Sequence, residues 1–277
     1  MAELDWETLL LLLGVAVAAG VFGGILAGLL GVGGGIVIVP ALYLSLSAAE
    51  LGEGVAMQVA VATSLATIVF TATSSSRAHH LRGAVDVALL RRWAPWVILG
   101  VVAGSLLGAV VDGRVMVAVF GVVASLVAVN MLLGQGNPTS QPRQAPPAAW
   151  AATGVFAGGV SALMGIGGGT VCVPALSYLG YDIRRAVGTS AALGLVIGIP
   201  ATLVYIVTGL WAEGRPPLSL GYVSLPALLV ITPFSTSFAK LGARLAHAIP
   251  MRALRACFGL FLAATAIRMF IDLATSA

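Results

Sequence analysis

The sequence predicts an all-α integral membrane protein made of two inverted repeats of about five helical elements each. Three observations predict it. Hydrophobic residues make up 59% of the 277 positions and charged residues 9%, with a mean hydropathy of +1.05. A soluble domain needs roughly a quarter of its residues charged to cover its surface, so most of this chain's outer surface must face lipid. Apolar runs of the length that spans a bilayer, about 20 residues, recur along the chain. Finally, GVGGGIVIVPAL at 31–42 returns as GIGGGTVCVPAL at 165–176, the two differing only at Val32/Ile166, Ile36/Thr170 and Ile38/Cys172. A duplication offset by about half the chain marks two homologous halves.

The elements follow from runs and breaks. In the first half a run over 8–30 meets the glycine break at 31–35, a short run over 36–47 follows, and longer runs cover 56–75, 87–111 and 115–133. In the second half 148–164 leads to the break at 165–169, then a short run over 170–179 and longer runs over 186–210, 218–239 and 254–271. The intervening GQGNPTSQPRQAPP has four prolines and no apolar period, so the division is 1–134, a linker at 135–147, and 148–277. The echo VAVATSLA at 59–66 against RAVGTSAA at 185–192 supports the alignment. The run after each break is too short to cross a bilayer at about 1.5 Å per residue. Each break with its flanks is therefore expected to form a re-entrant hairpin.

Charge orients these elements. With both termini outside, the cytoplasmic loops hold eleven of the fourteen Lys and Arg, and eight of the ten acids lie on the other side. The first half then runs from outside to inside and the second from inside to outside, an arrangement shared by many secondary transporters. An inner-membrane, multi-pass location is expected. The acid-bearing N-terminus does not read as a cleavable signal peptide.

Irregular backbone at membrane depth persists only where protein or a water-filled cavity covers it. Three successive glycines bare their N–H groups, and the helix that follows offers a positive dipole end. Gly33, Gly34 and Gly35, with Gly167, Gly168 and Gly169, are thus candidates for an anion site near mid-membrane, with Thr170 directly after the second run. A packing role is the plainer reading of any single glycine run; duplication at equivalent places favours the site. The matched pairs Thr63, Ser64 and Thr189, Ser190 can donate to an anion or bond to nearby backbone. Arg77, His79, His80 and Arg82, with Lys240 beyond, are candidates for an intake funnel or for coupling, against the plainer role of a positive-inside anchor. No carboxylate sits deep in a run to relay protons.

Other classes are disfavoured. The net charge of +4 is not gathered on a soluble basic face, so nucleic acid is not a predicted partner. Cys172 and Cys257 form neither a metal spacing nor a disulfide framework, and no metal or cofactor is expected. No catalytic constellation can be placed at a common depth, so an enzyme is not expected.

At GVGGG/GIGGG, each followed by V-PAL, and at VATS/VGTS, the chain resembles the sulfite exporter TauE/SafE family. The resemblance runs from Gly20 to Phe270 and includes HHLRG at 79–83. It implies a membrane permease for sulfur-containing anions: sulfite, thiosulfate, sulfoacetate or other sulfonates. It carries site residues over to Gly33, Gly34, Gly35 and Pro40, to Gly167, Gly168, Gly169 and Pro174, and to Thr63, Ser64, Thr189 and Ser190. HHLRG is not kept in the second half, where YIVTG stands at 205–209, so the half-sites are expected to be unequal. The expectation is export of such an anion by alternating access. An anion channel with the same site and a non-transporting membrane subunit are the alternatives. The partners are a small anion and membrane lipid, and a homo-oligomer is left open.

Overall fold

The computed structural model describes residues 6–31, 33–52, 54–133, 146–245 and 251–275. Most of the expected linker, at 134–145, lies outside the described residues. The first half forms α1 (Trp6–Leu30), α2 (Gly35–Ala48), α3 (Ala56–His80), α4 (Val87–Val110) and α5 (Gly113–Leu133). The second forms α6 (Pro147–Met164), α7 (Gly168–Tyr178), α8 (Ile183–Gly209), α9 (Leu225–Leu245) and α10 (Met251–Thr275). Seven of the described helices are long and apolar enough to cross a membrane. At 14 and 11 residues, α2 and α7 are not.

Both broken helices fold back. Ile38 of α2 lies against Gly23 of α1, where an added Cβ would sit 3.2 Å from the Ile38 side chain. In the second half Trp150, near the start of α6, packs edge-on against Tyr181, just past α7, with ring centroids 5.9 Å apart. The first two elements of each half are therefore hairpins about a glycine break, as the sequence predicts.

The main helix pairings are unchanged when the halves are exchanged. α1 packs on α9 as α6 packs on α4; α2 packs on α3 as α7 packs on α8; α3 packs on α9 as α8 packs on α4; α3–α8 and α5–α10 pair with each other. Glycine seams draw the outer pairs together. A Cβ at Gly24 would lie 2.5 Å from the Ser235 carbonyl oxygen, and one at Gly158 would lie 2.2 Å from that of Val97. Small residues allow such approach where lipid supplies no hydrophobic drive between helices.

Burial places α3 at the centre. Of its most apolar stretch 78% is buried inside the protein, against 22–39% in the other six candidate spans. The outer helices instead expose large apolar side chains, among them Leu99, Leu126, Phe156, Leu203 and Leu229. That distribution suits lipid contact.

Two boundaries depart from the sequence expectation. α3 continues through the serine run to His80, with Arg77 in its last turn, where a cation complements the helix dipole. α9 begins at Leu225, not near 218, because β1 (Ser219–Leu220) and β2 (Val223–Ser224) first form a small antiparallel hairpin. Gly221 turns it at φ +57, where a Cβ would meet the Ile206 carbonyl oxygen at 2.1 Å. Asp86 and Asp182, the two acids outside the charge asymmetry, are N-caps. Each accepts a backbone N–H in the first turn of its helix, from Leu89 and Arg184.

Candidate functional site

The two glycine breaks meet inside the bundle. A Cβ at Gly33 would lie 3.1 Å from Gly167 Cα and 3.3 Å from Ile68, the middle residue of α3. A Cβ at Gly35 would lie 2.2 Å from the Gly165 carbonyl oxygen and 2.8 Å from Ser64 Oγ. The breaks expected from sequence to face one another are thus in contact, halfway along the central helix. Gly33, Gly34, Gly35, Gly167, Gly168 and Gly169 are all buried. Thr63, Ser64, Thr189 and Ser190 are 0% exposed and Thr170 is 2% exposed. Each of these candidate site residues is thus buried within the bundle.

The local backbone explains several glycines without a ligand. Gly33 and Gly34 take φ +77 and +80, a region L side chains rarely adopt. A Cβ at Gly34 would also lie 2.6 Å from the Gly23 carbonyl oxygen. Gly165 takes φ +68 as the C-cap of α6. In both halves the helix after the break starts without a side-chain cap, so its first N–H groups are left to the surroundings. α7 starts at Gly168, one position earlier in the repeat than α2.

The Thr-Ser pairs divide their work. Thr63 Oγ1 accepts the Ser224 N–H at 2.9 Å, and Thr189 Oγ1 accepts the Asp86 N–H at 3.0 Å. Each threonine holds the segment that leads into a helix of the other half, α9 and α4 respectively. The serines differ. Ser64 Oγ donates to the Gly165 carbonyl oxygen at 2.7 Å and latches α3 to the second break. Its counterpart Ser190, whose backbone carbonyl borders Gly168, leaves its hydroxyl without a hydrogen-bond partner. Thr170, in the first turn of α7, and Ser161, in the last turn of α6, are likewise buried with unpartnered hydroxyls. Three orphaned hydroxyls therefore flank the second break, whereas the first break's serine is satisfied. Buried polar groups are normally paired, so a cluster without partners calls for a ligand or water.

The predicted intake residues separate. Arg77, Arg82 and Lys240 line one cavity of about 380 Å³ together with Ser74 and Arg244. His79 and His80 are not among its lining residues. At the opposite end, Tyr43, Glu50, Asp112 and Arg114 help line a cavity of about 510 Å³. Gln58, near that end of α3, donates to the Val111 carbonyl oxygen at 3.0 Å. At the arginine-rich end, Arg92 lies 5.0 Å from the centre of the Trp150 ring, and Arg185 and Asp86 approach to 3.9 Å. There burial holds the Tyr181 phenol above its ordinary pKa, and the nearby Asp86 carboxylate adds to the effect.

Sequence reading missed Arg244, Ser161, Ser224 and Ser235. Ser235 lay in the polar stretch TPFSTS beside Lys240, which was the available signal. Ser224 contributes a backbone N–H, which no side-chain pattern reports.

Such a fold, with paired broken helices meeting in the middle of a bundle of membrane-spanning length, defines a multi-pass membrane protein of the transporter class. The model of the Sulfite exporter TauE/SafE family matches residues 16–269, and the chain belongs to that family. It is 36% identical over 252 residues to a Haemophilus influenzae protein named "Probable membrane transporter protein", covering 91% of this chain and 96% of that one. It is 28% identical over 261 residues to a similarly named protein of Methanocaldococcus jannaschii, covering 91% and 93%. No solved structure matches the chain.

Proposed function

We propose that this protein exports a small sulfur-containing anion, such as sulfite, thiosulfate, sulfoacetate or another sulfonate, across the cytoplasmic membrane by alternating access. The observation that carries this reading is the set of orphaned hydroxyls of Ser161, Thr170 and Ser190 around the uncapped N-terminus of α7. Bare N–H groups, a positive dipole end and unpartnered hydroxyls are complementary to oxygens carrying negative charge. The family supports a sulfur oxyanion as that ligand.

The charge asymmetry supports an arginine-rich end in the cytoplasm and both termini outside. The exchange-invariant pairings support two inverted repeats, divided at 1–134 and 148–277. Burial of the site residues, with a separate cavity at each end of the bundle, supports a carrier over a channel. Gly167, Gly168, Thr170 and Ser190 are the main binding groups. Gly33, Gly34, Gly35 and Ser64 form the wall against which the second break closes, and Thr63 and Thr189 hold the flanking segments.

Thr170→Val and Ser190→Ala test the assignment. Each removes an orphaned hydroxyl with little change of shape, so stability should hold or rise slightly. Counterflow of radiolabelled thiosulfate in proteoliposomes should fall about tenfold or more, as expected for loss of a buried hydrogen bond to a charged ligand. Wild-type counterflow in the Thr170→Val/Ser190→Ala double variant would move the anion site elsewhere.

A further inference from the structure

The cavity between the ends of α3 and α9 is lined by four cations: Arg77 from the last turn of α3, Arg82 from the turn just after it, and Lys240 and Arg244 from α9. No carboxylate among the described residues lines it. Among the described residues, the one ion pair within 4 Å is Arg185–Asp86, which does not involve these four. Ser74 also lines the cavity, and its buried hydroxyl has no partner. Complementing a helix C-terminus accounts for each pair of cations separately, and Arg82 does donate to the Ala78 carbonyl oxygen at 3.3 Å. It does not account for both pairs converging on one concave space, where like charges repel.

A second feature connects this cavity to the breaks. Between Ser64 and Ser74, α3 turns Thr67 and Thr71 into the bundle, both 0% exposed. Thr71 shares a hydrogen bond of 2.9 Å with Ser235 of α9, also 0% exposed. The positions of α8 that correspond to Thr67 and Thr71 are Leu193 and Ile197, both buried and apolar. Packing of a central helix in this fold therefore does not require hydroxyls there. They occur only in the half whose helix runs from the break to the four cations.

We propose that Ser74, Arg77, Arg82, Lys240 and Arg244 form a second anion site, outside the glycine breaks, that takes an oxyanion group at the mouth of the α3–α9 hydroxyl seam. Binding at this site stands on its own geometry; its place on the route rests on the transport reading above. A tetrahedral oxyanion suits the chemistry, because guanidinium groups and an ammonium group supply donors from several directions and Ser74 supplies one more. The source of that group is either a soluble anion or the phosphate of a lipid.

The test compares Lys240→Gln/Arg244→Gln with Arg91→Gln/Arg184→Gln. The control removes equal charge from the same end of the bundle but not from the cavity. Sulfate binding to detergent-purified protein is measured by calorimetry, and thiosulfate counterflow is followed in neutral phosphatidylcholine vesicles with and without phosphatidylglycerol. The site predicts at least fivefold weaker sulfate binding, a higher KM with little change in maximal rate, and a flatter salt dependence in the cavity variant only. Weaker sulfate binding in detergent together with a counterflow effect in neutral vesicles assigns the cavity to a soluble anion. An effect of the cavity variant seen only with phosphatidylglycerol assigns it to a lipid head group. Equal behaviour of the two double variants, or no difference from wild type, overturns the site. Sulfate binding lost in the cavity variant, with no counterflow by wild-type protein, would sink the transport reading and leave this site standing.

Discussion

Ser64 and Ser190 occupy the same repeat position and are both fully buried, but only Ser64 has a partner. Their substitution should therefore diverge. Ser64→Ala removes a hydrogen bond between the halves and should lower stability by about 1 kcal/mol. Ser190→Ala removes an unpaired hydroxyl and should leave stability within a few tenths of a kcal/mol, or raise it. Thermal unfolding in one detergent reads both, and equal destabilisation would contradict the assigned hydrogen bonds. Thr63→Val and Thr189→Val should behave like Ser64→Ala or worse, at about 1–3 kcal/mol each, because each strands a backbone N–H. The matched Thr-Ser pairs were legible in sequence as special positions. Their roles were not, because those depend on whether a carbonyl or N–H from the other half comes within hydrogen-bond distance.

Among elements, the glycine seams decide how closely helices approach. Gly158 and Gly159 are neighbours on α6 with opposite expectations. A Cβ at Gly158 would meet the Val97 carbonyl oxygen at 2.2 Å, so Gly158→Ala must push α4 and α6 apart and should cost about 1–3 kcal/mol. A Cβ at Gly159 would sit 3.4 Å from the Gly100 carbonyl oxygen, ordinary contact, so Gly159→Ala should be nearly neutral. Size-exclusion profiles after graded heating separate the two, and matching profiles would refute the seam. The same reasoning covers the break: a side chain at Gly34 meets the backbone of α1 before it meets any anion. Gly34→Val should therefore fail to fold properly, and its loss of transport would say nothing about binding. Hairpins, breaks and the number of elements were readable because glycine runs and apolar length are local properties. The late start of α9 was not, because the β hairpin before it depends on Gly221 fitting against Ile206 of α8.

For the whole molecule, the sense of each half in the membrane follows from where the chain changes ends. In the proposed inverted arrangement each hairpin returns to the end it left and each of the three long helices after it, α10 included, crosses once, an odd number per half. On that proposed arrangement the halves start at opposite ends, with Arg91 and Arg184 on one face of the membrane and Arg114 and Glu213 on the other. All four side chains are exposed. Arg114 makes the test demanding, because charge counting alone would draw an arginine inward. With Cys172 and Cys257 replaced by Ala, single variants Arg91→Cys, Arg184→Cys, Arg114→Cys and Glu213→Cys should split into two pairs. A membrane-impermeant maleimide applied to intact cells should label the cysteines at 114 and 213, and label those at 91 and 184 only after the membrane is opened. Labelling of 91 and 213 together from outside would mean that the halves run in the same sense. The two breaks would then have no exchangeable roles, and alternating access through a swap of the halves' conformations would lose its structural basis.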